Sequence, residues 1–285
     1  MDFMSDRPSS NVDPAVAAGF GHEWSTFQQG EDTFSADDRA AIFESYFHIF
    51  PWDRLPATPV GMDVGCGSGR WSVMVAPRVD HLHLLDASAD ALNVARKNLA
   101  NASNVTFHHA SVGDLPLSDA SLDFAFSLGV LHHVPDTQAA ISKISTKLKP
   151  GAPFLIYLYY ALDNRPAWYR ALWKFSNIFR VVISHLPEKP RLWISQLIAV
   201  SIYWPLARFA ALVEKLGFSA ASLPLESYKD RAFYVMRTDA YDRFCTRLEQ
   251  RFTRQQIHNM LTVAGFQDIR FSDRVPYWCA VGIKR

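Results

Sequence analysis

The chain has 285 residues, 49% hydrophobic and 20% charged, with a net charge of +1. Such a composition is globular and long enough to bury a core in one or two domains, and the balanced charge excludes the basic field that holds a nucleic-acid backbone. Three scattered cysteines, Cys66, Cys245 and Cys279, form no CxxC pair, which excludes a disulfide framework and predicts a reducing, cytoplasmic setting.

The N-terminus, MDFMSDRPSSNVDP, mixes acids and prolines without an apolar core, and is read as neither a signal peptide nor a membrane start. Next, FGHEWSTF packs Trp24 and two phenylalanines around Glu23. From residue 58 short apolar runs alternate with helical patterns. PVGMDVG is a strand, RWSVMVAPRV a helix, and HLHLLDAS a second strand. ADALNVARKNLANA is a helix with Leu92, Ala95 and Leu99 on one face. VTFHHAS is a third strand, SLDFAFSLGVLHHV holds a fourth, TQAAISKISTKLKPGA is a helix, and FLIYLYY is a fifth strand. This cadence predicts a parallel, doubly wound α/β sheet with ligands beyond its C-terminal strand ends.

Residues 161–238 break the cadence. Pro166 opens a helix in which Trp168, Leu172, Phe175, Phe179 and Val182 share one face, opposite Arg170, Lys174 and Asn177. A second helix, from about Leu192 to Leu216, is apolar almost all round. Its uncharged run, Leu192 to Ala207, is too short to span a bilayer. The insertion reads as a lid over an acceptor pocket, as a homodimer interface, or as a membrane-surface or lipid-carrier contact. From residue 239 the chain is expected to return to the core. TRQQIHNMLTVAGF is a helix with Thr253 as its cap and Gly265 after its end, and DIRFSD and YWCAVGIK form an antiparallel strand pair.

The chemistry concentrates after the first strand. Gly65, Gly67 and Gly69 alternate in GxGxG spacing, not the GxGxxG of dinucleotide binding. Glycine permits tight turning and close ligand approach, and helix-start amides then face the ligand. Asp86 ends the second strand about 20 residues on, where a carboxylate can accept from both hydroxyls of a ribose. Here the chain resembles the class I S-adenosylmethionine (AdoMet)-dependent methyltransferases, closest to the ubiquinone/menaquinone-biosynthesis group. VGMDVGCGSGRWS, LLDAS, LPLSDASLDFAFSLGVLHHVPD, LKPGAPFLIY and AGFQDIRFS…YWCAVGIKR carry the resemblance, over residues 60–160 and 252–285.

That resemblance implies a Rossmann-like seven-stranded sheet with an antiparallel last strand, interrupted by a helical insertion acting as a lid. It implies a division into 1–57 (tail and cofactor-covering helices), 58–160 (AdoMet-binding core), 161–238 (insertion) and 239–285 (return to the sheet). Gly65 and Gly67 would lie along the methionine moiety with Cys66 between them as a small filler. Asp63 would orient the loop or meet the amino group. Asp86 would bind the ribose, with Ala87 and Ser88 beside the adenine. Where the family usually has an aspartate for the adenine, this chain has Ser111, followed by Val112. Leu128 and Gly129 would floor the site, and Trp24 or Phe20 would close over the cofactor, whose cationic sulfur an aromatic face attracts.

For the acceptor, Tyr157, Tyr159 and Tyr160 follow the fifth strand, with Tyr157 and Tyr159 on one face, and Asn164 passes the same rim. Tyr228 and Arg231 lie in SYKDRAFYVMRTDAYDR, either a solvated linker with ion pairs or a polar pocket wall. His133 is the candidate general base. Adjacent strand residues point to opposite faces, so His132 and His133 do not aim at one metal, and no HxxxH or carboxylate cluster predicts a metal site. The expected function is methyl transfer from AdoMet, leaving S-adenosylhomocysteine, to oxygen or nitrogen of a small-molecule acceptor such as a specialised metabolite, a sugar or a quinone-like compound. A non-catalytic AdoMet-binding protein and a protein-side-chain methyltransferase are the alternatives.

Overall fold

The computed structural model describes residues 11–26, 36–220 and 222–285. The chain divides into two compact units, Met1–Asp163 with Leu248–Arg285, and Asn164–Arg247.

The first unit is built on a seven-stranded sheet in the order β3-β2-β1-β4-β5-β7-β6. β1 (Val60–Val64), β2 (His81–Asp86), β3 (Val105–His109), β4 (Phe124–Leu128) and β5 (Pro153–Tyr157) run parallel, and β7 (Cys279–Lys284) lies antiparallel between β5 and β6 (Phe266–Phe271). The strand order reverses at β1. Asp63 pairs in register with Leu84 on one side and Phe126 on the other, and such a switch point opens a crevice at the C-terminal strand ends.

Strand alternation fills two cores. Met62, Val64, Leu85, Phe154 and Ile156 pack on one face with residues of α5 (Thr137–Lys147) and α10 (Arg254–Val263). Leu82, Leu84, Phe124, Phe126 and Leu155 pack on the other with α2 (Ala36–Phe47) and α4 (Ala89–Asn98). α10 begins as its sequence predicts. The Thr253 hydroxyl accepts from Gln256 N at 3.2 Å while the Gln256 side chain accepts from Thr253 N at 2.8 Å, a reciprocal cap that satisfies two otherwise orphan amides. The fifth strand is shorter than FLIYLYY suggests. Its ladder to β7 ends at the Tyr157–Cys279 pair, and Tyr160 makes only an isolated bridge to Phe252.

The second unit holds α6 (Ala167–Ser184), α7 (Glu188–Ile198), a π turn at Ala199–Tyr203, α8 (Trp204–Lys215) and α9 (Phe233–Cys245). Its core joins Ile183, Ala199, Tyr203, Ala207, Met236, Ala240 and Phe244. The expected return to the sheet at residue 239 is therefore late: Ala240 and Phe244 still fill this unit's core, and the first unit resumes at Leu248. The uncharged Leu192–Ala207 run proves to be the middle of a continuous helix, Glu188–Lys215, of 28 residues. By length and composition alone that helix is long and apolar enough to cross a membrane, so the expectation that it falls short is corrected. The π turn directly precedes Pro205 near the start of α8, where a residue without an N–H disturbs regular pairing.

Candidate functional site

The turn after β1 is held by backbone bonds. Gly65 N and Cys66 N both donate to Leu85 O, at 2.7 and 3.0 Å, and Gly69 N donates to Cys66 O at 2.8 Å. Gly65, Gly67 and Gly69 have φ of +76°, +53° and +74°, a region costly for residues with a Cβ. At Gly65 the close approach is to protein. A Cβ there would lie 2.3 Å from Val130 Cγ1 and 2.9 Å from Val130 Cβ. A branched side chain clashing at its own Cβ cannot rotate away. Gly65→Ala is therefore expected to destabilise the first unit by about 3 kcal/mol, positive φ and overpacking together, read as a lower denaturant midpoint. At Gly129 (φ +79°) a Cβ would meet nothing within 4 Å, so the space beside the turn after β4 is open.

Two carboxylates flank the turn. Asp86 accepts from Gly67 N through Oδ2 and from Ser88 N through Oδ1, both at 2.8 Å. It ties the glycine turn to the end of β2 and, with two lone pairs on each oxygen, keeps acceptor capacity. Asp63 is buried and accepts from Ser72 Oγ at 2.6 Å. Burial pushes its carboxyl up to about 7, opposed by the Ser72 hydroxyl and assisted by Asp86. Asp86 is also raised by burial, against the lowering effect of the Ser88 and Gly67 amides. Two carboxylates desolvated so close together favour a cation. Within the turn, Ser68 Oγ is buried without a hydrogen-bond partner among the described residues. The carboxylates, this unspent hydroxyl and the open space at Gly129 fit the amino-acid and ribose ends of AdoMet.

Of the other predicted cofactor residues, Ala87, Ser88 and Ser111 line one groove of about 530 Å³, together with Asp114 and, from α1 (Pro14–Thr26), Ala17 and Ala18. Ser88 also caps α4, accepting from Ala91 N at 3.3 Å. Cys66, Val112 and Leu128 are buried in the two cores. Burial, with Asp86 and Asp63 nearby, pushes the Cys66 thiol well up, so it stays protonated and serves as filler. Trp24 lies in α1, but its side chain is outside the described residues. Sequence reasoning missed Asn98, whose side chain donates to Ser68 O at 2.9 Å and braces the glycine turn from the end of α4. An amide-bearing residue near a helix end gave no sign of that reach.

Past the turn runs a row of rings. Trp71 packs on Tyr46 (centroids 5.1 Å apart), Tyr46 on Tyr157 (5.2 Å), Tyr157 on Tyr159 (6.0 Å) and Tyr159 on His132 (3.8 Å). His133 follows at 4.0 Å from His132, and Phe20 lies 4.9 Å from His133. The histidines sit in a 3₁₀ turn, Leu131–His133, not on a strand, so the opposite-faces expectation gives way to adjacent rings. Tyr159 N donates to His132 Nδ1 at 3.4 Å, and burial pushes that imidazole well below its usual range, with His133 and Arg251 adding to the effect; His132 is a neutral wall. His133 Nδ1 faces Leu248 O at 2.6 Å. A carbonyl only accepts, so Nδ1 carries the proton and Nε2 is the accepting nitrogen of the neutral ring. Tyr46 and Trp71 were given no role in the sequence reading, and ring packing reveals theirs. Tyr160 turns the other way, onto Tyr277 and Trp278.

Asn164, Tyr228 and Arg231 belong to the second unit. Tyr228 Oη donates to Asp239 Oδ2 at 2.8 Å and its ring meets Tyr203, while Lys229 bridges Glu214 and Glu226. The SYKDR stretch thus fastens its own unit. Among the described residues no group of three His, Cys, Asp or Glu is placed to hold a metal ion.

A reversed strand order, a GxGxG turn and a carboxylate ending β2 define the core as a class I AdoMet-dependent methyltransferase domain, with AdoMet as its cofactor. The description of a methyltransferase domain family matches residues 62–151. An uncharacterized methyltransferase of Mycobacterium tuberculosis is 28% identical over 116 residues, 41% of this chain and 56% of its own. A demethylmenaquinone methyltransferase of Listeria monocytogenes is 28% identical over 169 residues, 55% of this chain and 69% of its own. Among solved structures, phosphoethanolamine N-methyltransferase 2 of Haemonchus contortus, in complex with S-adenosyl-L-methionine, aligns with a TM-score of 0.47 and 17% identity over 91% of this chain and 43% of that one. The chain spans 56% of the length of the mycobacterial relatives it matches.

Proposed function

We propose that the protein transfers a methyl group from AdoMet to an oxygen or nitrogen of a small-molecule acceptor bearing a planar ring, with quinone-like compounds in that class. The observation that carries this reading is the convergence of the carboxylate-flanked glycine turn with the ring row Tyr46–Tyr157–Tyr159 that leads to His133. The demethylmenaquinone methyltransferase relative supports the ring-bearing class. Bound AdoMet supplies an electrophilic methyl group on a cationic sulfur. Asp86 holds the ribose, Ala87, Ser88 and Ser111 the adenine side, and Asp63 the cationic end. Tyr157 and Tyr159 orient the acceptor and exclude water, which is where most of the acceleration of an in-line displacement arises. His133 Nε2 takes the proton that a hydroxyl or amine gives up. The setting is cytoplasmic, where Cys66, Cys245 and Cys279 remain free thiols.

The test is label transfer from methyl-labelled AdoMet to a panel of hydroxyquinones, phenols, aromatic amines and hexoses. Turnover with a ring acceptor is expected. His133→Gln should lower kcat about 10²–10⁴-fold while S-adenosylhomocysteine affinity is unchanged. Label found only on protein would replace this reading with side-chain methylation. AdoMet binding without transfer to any acceptor would replace it with a binding role.

A further inference from the structure

In a water-soluble helix bundle, large apolar side chains face inward and small or charged ones outward. The second unit departs from this on two neighbouring helices, which also expose large apolar side chains. On α6 the stripe Trp168, Leu172, Phe175, Phe179 and Val182 is exposed, with Phe175 at 59% and Val182 at 62%. The same helix buries Arg180, whose guanidinium donates to Thr246 O at 2.8 Å and Asn177 Oδ1 at 2.7 Å. On the 28-residue helix Tyr203 is the one large side chain among the buried residues, which are otherwise Ser195, Ala199, Ala207 and Ala210, while Trp193 (77%), Leu197, Val200, Trp204, Phe209 and Leu212 are exposed. A buried face made mostly of small residues with large apolar ones outside is the arrangement of helices that meet lipid.

Charge identifies the occupant. Residues 164–247 hold thirteen Lys and Arg against six Asp and Glu, a net +7 in a chain whose total is +1. Four of the six acids are engaged within the unit: Glu214 and Glu226 on Lys229, Asp239 on Tyr228, and Asp242 on Thr246. Exposed basic residues lie on the same helices, with Arg170 and Lys174 one turn apart on α6 and Lys189 one turn before Trp193. Apolar faces carrying Trp and Phe beside basic side chains match an anionic bilayer surface, where acyl chains take the rings and headgroups the cations. The mode is docking in the interface plane, because α9, packed beside the long helix, carries Arg237, Asp239, Asp242 and Arg243, charges that a spanning arrangement would bring into hydrocarbon.

We propose that the helical unit Asn164–Arg247 docks the protein onto an anionic lipid surface through the exposed apolar faces of α6 and of the helix Glu188–Lys215.

The experiment is vesicle flotation of the full chain. Phosphatidylcholine vesicles with about one-third phosphatidylglycerol are compared with phosphatidylcholine alone, at low and high salt. Flotation with the anionic vesicles is expected, and at least about tenfold less with neutral vesicles or high salt. The pairs Phe175→Ser/Phe179→Ser and Trp193→Ser/Leu197→Ser should each reduce it by about tenfold or more, with far-UV circular dichroism and AdoMet affinity unchanged. No flotation of the wild type, or pair variants that float as well as it does, would overturn the proposal. A wild type that sediments as a dimer without floating, and pair variants that sediment as monomers, would assign the faces to a second copy of the chain. Flotation needs no methyl donor, so its outcome is independent of the label-transfer test.

Discussion

Asp86→Ala is expected to weaken AdoMet and S-adenosylhomocysteine binding by about a hundredfold or more, measured by calorimetric titration of the folded variant. The carboxylate does two things at once. It holds the amides of Gly67 and Ser88, both at 2.8 Å, and so fixes the glycine turn against the end of β2, and it is the acceptor that the proposed site offers to the ribose. Hydrogen bonds to a charged partner contribute about 1.5–3 kcal/mol each, so losing the ribose contact and loosening the turn together reach about 3 kcal/mol, a hundredfold in affinity. Asp86→Asn separates the two effects. An amide oxygen can still accept from one backbone N–H, so the asparagine variant should lie between wild type and alanine. Equal affinity in wild type and Asp86→Ala would remove this carboxylate from the cofactor site.

How much of this was legible in the sequence varies by element. The strands of the first unit follow from short apolar runs, and the GxGxG turn and Asp86 fall at the C-terminal ends of β1 and β2 as read. Thr253 was legible because a capping side chain acts on amides two or three residues away. Features set by distant packing were not legible. Val112 was taken for a cofactor neighbour, yet its side chain joins Val64, Leu85 and Leu115 in the core, since a residue in a loop reveals nothing about which way it turns. The His132–His133 pair was read on a strand, and one 3₁₀ turn is enough to bring the two rings to 4.0 Å.

The insertion shows the same limit more sharply. Periodicity identifies which residues of α6 share a face, but it is silent on whether that face meets protein or solvent. The common prior, apolar inward, would have buried Trp168 and Phe175. The structure instead buries Arg180 through contacts with carbonyls at Thr246 and Arg247, more than sixty positions along the chain. The late boundary at Arg247 has the same origin: from 239 the chain reads as core, but Met236, Ala240 and Phe244, spaced by four, form a face that packs in the insertion's own core.

Asp63 makes cofactor affinity depend on pH, with a sign fixed by its raised carboxyl. Its folded value of about 7 exceeds the ordinary 3.8 because burial opposes the charged form. In the ligand-free protein the folded state therefore holds a proton that the unfolded chain releases between about pH 4 and 7. The associated stability is fully present below about pH 4 and is lost as pH rises to about 7. A cationic ligand reverses the preference, since a positive charge beside Asp63 and Asp86 favours the ionised carboxyl. AdoMet binding below about pH 7 should thus release a proton, and affinity should rise from pH 5.5 to 7 by up to about tenfold per unit before levelling. Titration in buffers of different ionisation enthalpy counts the proton directly. Asp63→Asn should abolish the release and flatten the profile, and should make the ligand-free protein more stable above pH 7, because an amide keeps the Ser72 hydrogen bond without a buried charge. A pH-independent affinity in the wild type would mean that Asp63 stays protonated with ligand bound, as a strut for Ser72 at the start of α3 (Ser72–Val75), and would leave Asp86 as the carboxylate that meets the ligand.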